Sequence, residues 1–126
     1  MATTWVLAAD ASRARVLQVA SREKLAEVAS LDNPERRMHD RDPLAPTVEH
    51  ATEVFAKRIG DYLEKARTRR CYDKLVVIAP PHLLGALRKE YGKEVGKLVA
   101  DEVAKDLSGL SKHELEGYFS KDGRAI

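Results

Sequence analysis

The sequence predicts an α/β domain: a mixed five-stranded sheet with helices on its faces, in the order β-β-β-α-β-α-β-α. Three observations carry that prediction. The chain opens with three β-forming segments separated by short polar breaks. From Thr47 the apolar residues recur at three- and four-residue steps. Between two helical stretches, KLVVIA (Lys74 to Ala79) is a continuous apolar run, the pattern of a central strand covered on both faces.

In chain order, WVLAA and ARVLQVA flank the polar cluster DASR and form two strands joined by a tight turn. After SREK, the alternation of LAEVASL and its Val and Leu extend the meander to a third strand. The first helix presents Ala51, Val54, Phe55, Ile59, Tyr62, Leu63 and Ala66 as one stripe. Thr47 is its predicted N-cap, Glu49 lies in its first turn, and Arg67, Arg69 and Arg70 sit at the negative end of its dipole. KLVVIA is the fourth strand. Pro81 suits the first turn of a second helix with the stripe Leu83, Leu84, Leu87 and Tyr91, ended by Gly92. LVADEVAKD (Leu98 to Asp106) reads as a fifth strand nearer the sheet edge, because its charges leave little to bury. Ser111 and Glu114 make a capping box for a last helix, with Leu110 and Leu115 in the hydrophobic-staple positions. Three antiparallel strands followed by right-handed α crossovers give the order of the ribonuclease H-like group of folds.

A chain of 126 residues can bury a working core without staples, so a single domain over residues 1–126 is expected, with a charged loop at 32–46 and a frayed tail, SKDGRAI, at 120–126. With 44% apolar residues, 33% charged residues and a net charge of +2, the composition is that of a soluble globular protein; it permits RNA binding without requiring it. Cys71 is the sole cysteine, which excludes an intramolecular disulfide and a disulfide-built secreted scaffold; it reads as a small residue at a helix end. The first residues lack a basic n-region, and the most apolar stretch, LVVIAPPHLLGAL, is interrupted by Pro80, Pro81 and His82. The expectation is a cytoplasmic protein with no membrane insertion.

The loop is the unusual feature. NPERRMHDRDPL (Asn33 to Leu44) packs three arginines, three acids and a histidine into one connection. Arg36, Arg37 and Arg41 suit phosphate oxygens, since the guanidinium fork matches them; Glu35, Asp40 and Asp42 would limit nonspecific affinity. The plainer reading is a solvated loop whose charges pair among themselves at little gain. Its lack of aromatic residues argues against base stacking within it. Asp10, at the end of the first strand, stands where a ribonuclease H-like nuclease places a metal-binding acid, but the fourth strand ends in Ala79-Pro80-Pro81 with no carboxylate, and Asp10 is more simply a turn residue. Pro81 and His82 open the helix after the central strand, where open sheets often hold ligands, so they are secondary binding candidates. His39, His50 and His113 have no ligand spacing, and no nucleophile elbow, phosphate loop or dinucleotide fingerprint occurs. No catalytic residue, metal or cofactor is assigned.

Together, TWVLAADASRARVL, LDNPE, DRDPL, VEHATEVFAKRIGDYLEKA, YDKLVVIAPPHLLGALRKEY and VAKDLSGLSKHELEGYF resemble the bacterial host-attachment protein family along nearly the whole chain. The ordered set is more specific than any one motif, above all ADASRAR, APPHLLGALR and KDLSGLSKHEL. That family is distantly similar to the middle domain of archaeo-eukaryotic peptide-release factors. The likeness implies the same ribonuclease H-like arrangement, with the connection between third strand and first helix in the place of the release factors' Gly-Gly-Gln loop. Here that connection has neither glycine nor glutamine, so peptidyl-tRNA hydrolysis carries over to no residue.

The resulting expectation is a non-enzymatic RNA- or ribosome-associated domain. In it Arg36, Arg37 and Arg41 contact phosphate, His39 adds a hydrogen bond, and Arg13 and Arg15 in the first hairpin extend the surface. Two rivals stand beside it. One is a protein-interaction module, with a protein partner or as a homo-oligomer, acting indirectly in attachment. The other is a small metal-dependent hydrolase or nuclease using Asp10 and the His82 junction.

Overall fold

The computed structural model describes residues 3–21, 24–33 and 48–121. The strands are β1 (Thr4–Ala9), β2 (Arg13–Ser21), β3 (Lys24–Asp32), β4 (Lys74–Ile78) and β5 (Val99–Val103); the helices are α1 (Val48–Thr68), α2 (Pro81–Glu90), α3 (Lys93–Leu98) and α4 (Lys112–Lys121). The strands form one sheet in the order β3-β2-β1-β4-β5, with β1/β2 and β2/β3 antiparallel and β1/β4 and β4/β5 parallel. The expected mixed five-stranded α/β architecture is therefore present.

Alternation along the central strands divides the interior into two layers. Trp5, Leu7 and Ala9 of β1, with Leu75 and Val77 of β4, pack beneath Phe55, Ile59 and Leu63 of α1 and Leu83, Leu84 and Leu87 of α2. Val6, Ala8, Val76 and Ile78 face the other way, onto Leu115 of α4. Because both faces are covered, KLVVI has no polar alternation, as its sequence implied. At the foot of the first layer Trp5 stacks on Tyr72 at 4.9 Å and donates from Nε1 to Gln18 Oε1, while the Tyr72 hydroxyl donates to the Leu63 carbonyl.

Three details depart from the sequence expectation or lie beyond it. The stretch before β5 contains a short helix, α3, so Leu98 ends a helix and β5 spans Val99–Val103 only. Gly92 caps α3, and Val95 sinks into the layer under α1 and α2; six residues make too few turns for periodicity to be visible. The last helix continues through Lys121, two positions into the expected tail. Its capping box forms as expected, with Ser111 N–H donating to Glu114 Oε1 and Glu114 N–H to Ser111 Oγ. Thr47, the expected N-cap of α1, lies outside the described residues.

Edge strand β3 is blunted. A bulge falls where its register with β2 shifts, the Leu25 N–H donates to the buried Glu116 carboxylate of α4 at 2.7 Å, and the Asp32 carbonyl accepts from Arg58. Such devices reduce the capacity of an edge to recruit another strand.

Two glycines separate packing from propensity. A Cβ at Gly60 in α1 would lie 3.2 Å from the Cβ and 3.3 Å from the carbonyl oxygen of Glu90, so this glycine permits the close approach of α1 and α2; a Cβ at Gly85 would meet nothing within 4 Å. Gly85→Ala should therefore stabilise the protein by about 0.5–1 kcal/mol through helix propensity. Gly60→Ala should lose about 1 kcal/mol despite the same propensity gain, because backbone must move. Urea midpoints check both; equal shifts would refute the packing argument.

Candidate functional site

The turn between β1 and β2 is built on Asp10. Its Oδ1 accepts the N–H groups of Ser12 and Arg13 at 2.7 and 2.8 Å, and its own N–H donates to the Arg13 carbonyl. Its Oδ2 accepts the Ser108 hydroxyl at 2.6 Å, and Ser108, itself buried, also lies 2.9 Å from Asp106 Oδ1. Arg15 donates to the carbonyls of Ser108 and Leu110 and pairs with Glu27 at 3.1 Å. The hairpin is thus fastened to the segment between β5 and α4. Burial pushes the Asp10 carboxyl pKa up, but the hydrogen bonds from Ser108, Ser12 and Arg13 and the Arg13 charge outweigh it, and the net shift is below the ordinary value.

Asn33 completes this base. It is buried, and its amide nitrogen donates to the Ala11 carbonyl in the hairpin turn and the Ala51 carbonyl in the first turn of α1, while its backbone N–H donates to Ser12. One side chain therefore ties the end of β3, the hairpin and the start of α1 together.

Next to it, α1 and α2 diverge around a cleft of about 420 Å³. The small residues Gly85 and Ala86 open it, Glu49, Glu53 and Lys89 line it, and Pro81 and His82 stand at its α2 end. The rim can offer carboxylates, an imidazole and an ammonium.

Of the candidate residues, Arg13 is exposed on the hairpin, whereas Arg15 is half-buried and engaged with Ser108, Leu110 and Glu27. Pro81 and His82 are exposed at the cleft, where the C-terminal end of β4 runs into α2. Arg36, Arg37, His39 and Arg41 lie outside the described residues. Asp106 reads from sequence as an edge-strand charge, and no local motif marks Asn33 or Ser108 for this role. Ser108 meets Asp10 across 98 positions, a separation that no local spacing signals. Asn33 carried one cue, its place between a strand and a proline. Among the described residues no group of three or more His, Cys, Asp or Glu is arranged to hold a metal ion, and no helix is long and apolar enough to cross a membrane.

The sequence pattern of a protein family described as "Protein required for attachment to host cells" matches residues 45–119. An uncharacterized protein of Rickettsia prowazekii (strain Madrid E), RP470, is 39% identical over 54 residues, which is 41% of this chain and 36% of that one. Among solved structures, one titled only as an archaeal protein superposes with a TM-score of 0.54 at 14% identity, over 95% of this chain and 36% of that one. The archaeal translation termination factor aRF1 superposes with a TM-score of 0.51 at 10% identity, over 96% of this chain and 39% of that one. The chain thus spans between a third and two-fifths of the length of these proteins. At such identities the structural likeness is one of fold.

Because the Asp10 pKa is lowered on folding, its stabilisation is complete above the ordinary carboxylate pKa of about 4 and is lost as pH falls through the folded value. Asp10→Ala should destabilise by about 2 kcal/mol at pH 7, with the gap to wild type narrowing below about pH 4. Denaturant titrations at both pH values check this. A gap that stays constant with pH would remove the ionised carboxylate from the account.

Proposed function

The chain belongs to the family of proteins required for attachment to host cells, and we propose that it acts there as a cytoplasmic, non-enzymatic domain that associates with RNA or the ribosome, with attachment as a downstream effect. The observation that carries the reading is the convergence at one end of the sheet of the exposed Arg13 turn, the knot at Asn33 from which residues 34–47 depart, and the first turns of α1 and α2. A rigid base under a charged connection is the arrangement by which a scaffold presents a contact segment. The fold shared with an archaeal translation termination factor supports the choice of partner.

In this reading Arg36, Arg37 and Arg41 neutralise phosphates, His39 adds a hydrogen bond and Arg13 extends the contact, while Arg15 positions the hairpin. His82 and Pro81, at the neighbouring cleft, border the surface. No step of bond making is needed; the work is electrostatic and geometric, and it weakens with salt by counterion release.

Co-sedimentation with ribosomes from the protein's own cells, over a salt series, tests this. Wild type should pellet at low salt and be released as salt rises. Arg36→Ala/Arg37→Ala/Arg41→Ala should pellet less, with the slope of log affinity against log salt reduced by about 2 to 3 if each arginine neutralises one phosphate. Wild type that stays in the supernatant at the lowest salt, indistinguishable from the variant, would overturn the proposal in favour of a protein partner.

A further inference from the structure

The far end of α1 breaks a local rule without a structural return. The helix closes with a paired motif in which the Cys71 N–H donates to the Ala66 carbonyl and the Arg70 N–H to the Arg67 carbonyl. That closure places its penultimate residue in the left-handed region, and Arg70 adopts it, with φ of 59°. Glycine fits there without a Cβ clash, and arginine does not. Arg70 is also the only described non-glycine residue with a positive φ.

Its surroundings repeat the choice. Lys65 on the last turn and Arg69 just past the helix end stand four residues apart, a like-charge spacing that is unfavourable, and Lys65, Arg69, Arg70 and Cys71 are all exposed. Among the described residues neither the Arg69 nor the Arg70 side chain has a carboxylate partner, unlike Arg67, which is held by Glu64. The helix dipole accounts for cations in the last turn, but Lys65 and Arg67 already supply them. It does not require one in a left-handed conformation. The half-buried Tyr62, stacked over Trp5, borders the patch: burial and the neighbouring Cys71 push its phenol pKa up. Backbone strain retained at an exposed, unpaired charge points to a contact outside the chain.

We propose that Arg70, with Arg69 and Lys65, forms a second phosphate-contact surface for single-stranded RNA at the C-terminal end of α1. It rests on the RNA-binding reading above and extends it to the opposite end of the sheet. The 21-residue helix separates this patch from the Asn33 knot by about 30 Å, so one molecule would engage two separate stretches of RNA. Guanidinium forks suit phosphate oxygens, and a single strand leaves its backbone accessible to them.

The test sets stability against affinity. Binding of a short, labelled, mixed-sequence single-stranded RNA is measured by fluorescence anisotropy across a salt series, beside thermal unfolding, for wild type, Arg70→Gly, Arg70→Lys and the loop variant Arg36→Ala/Arg37→Ala/Arg41→Ala. Arg70→Gly should raise the unfolding midpoint by a few degrees, yet bind roughly tenfold more weakly, with the log–log salt slope reduced by about 0.7. Arg70→Lys should keep the slope. If Arg70→Gly binds as wild type does, or loses stability together with affinity, the inference is overturned; absence of RNA binding by wild type overturns it as well. Loss of binding confined to the loop variant would sink the α1 patch and leave the ribosome reading standing. Loss confined to Arg70→Gly would sink the loop contact and leave RNA binding at the α1 patch standing.

Discussion

The constraint on which this molecule depends is that β1 and β4 are buried on both faces. A strand with Trp5, Leu7 and Ala9 on one side and Val6 and Ala8 on the other has no surface to give to water, so helices must cover both faces. The antiparallel meander β1-β2-β3 covers neither. The covering therefore falls to α1, α2 and α3 on one face and α4 on the other, and the chain must return from the sheet to a helix repeatedly.

Those returns explain where polar chemistry collects. At the end of the sheet where β1 meets β2, the backbone leaves regular structure several times within a small volume, and its donors and acceptors need partners. Asp10, Asn33, Ser108 and Arg15 provide them, each linking segments distant in sequence. The candidate surface thus rests on a hydrogen-bonded base whose members serve folding first. Arg15 is the clearest instance: a residue read as a surface cation spends its guanidinium on two carbonyls and a glutamate.

The opposite end shows the contrasting economy. The Tyr72 hydroxyl and the Trp5 indole both find partners within the chain, and α1 closes through backbone bonds and the Thr68 hydroxyl, which donates to the Lys65 carbonyl. With the fold satisfied by those contacts, the exposed side chains of Arg69 and Arg70 have no assignment inside the described structure.

By itself the sequence determined the class, the strand and helix order apart from α3, the central place of KLVVI and the capping box at Ser111, because each is written in local periodicity or in residues three or four positions apart. The family was also legible, through motifs spread along the chain. Long-range packing, by contrast, commits Arg15 inward, joins segments through Asn33 and Ser108 and leaves a cleft between α1 and α2 at His82, and helix closure holds Arg70 in a left-handed backbone. Those facts depend on contacts across tens of residues and on a dihedral angle set by helix closure. Neither leaves a mark in residue spacing, since the partner is chosen by the fold that brings it near.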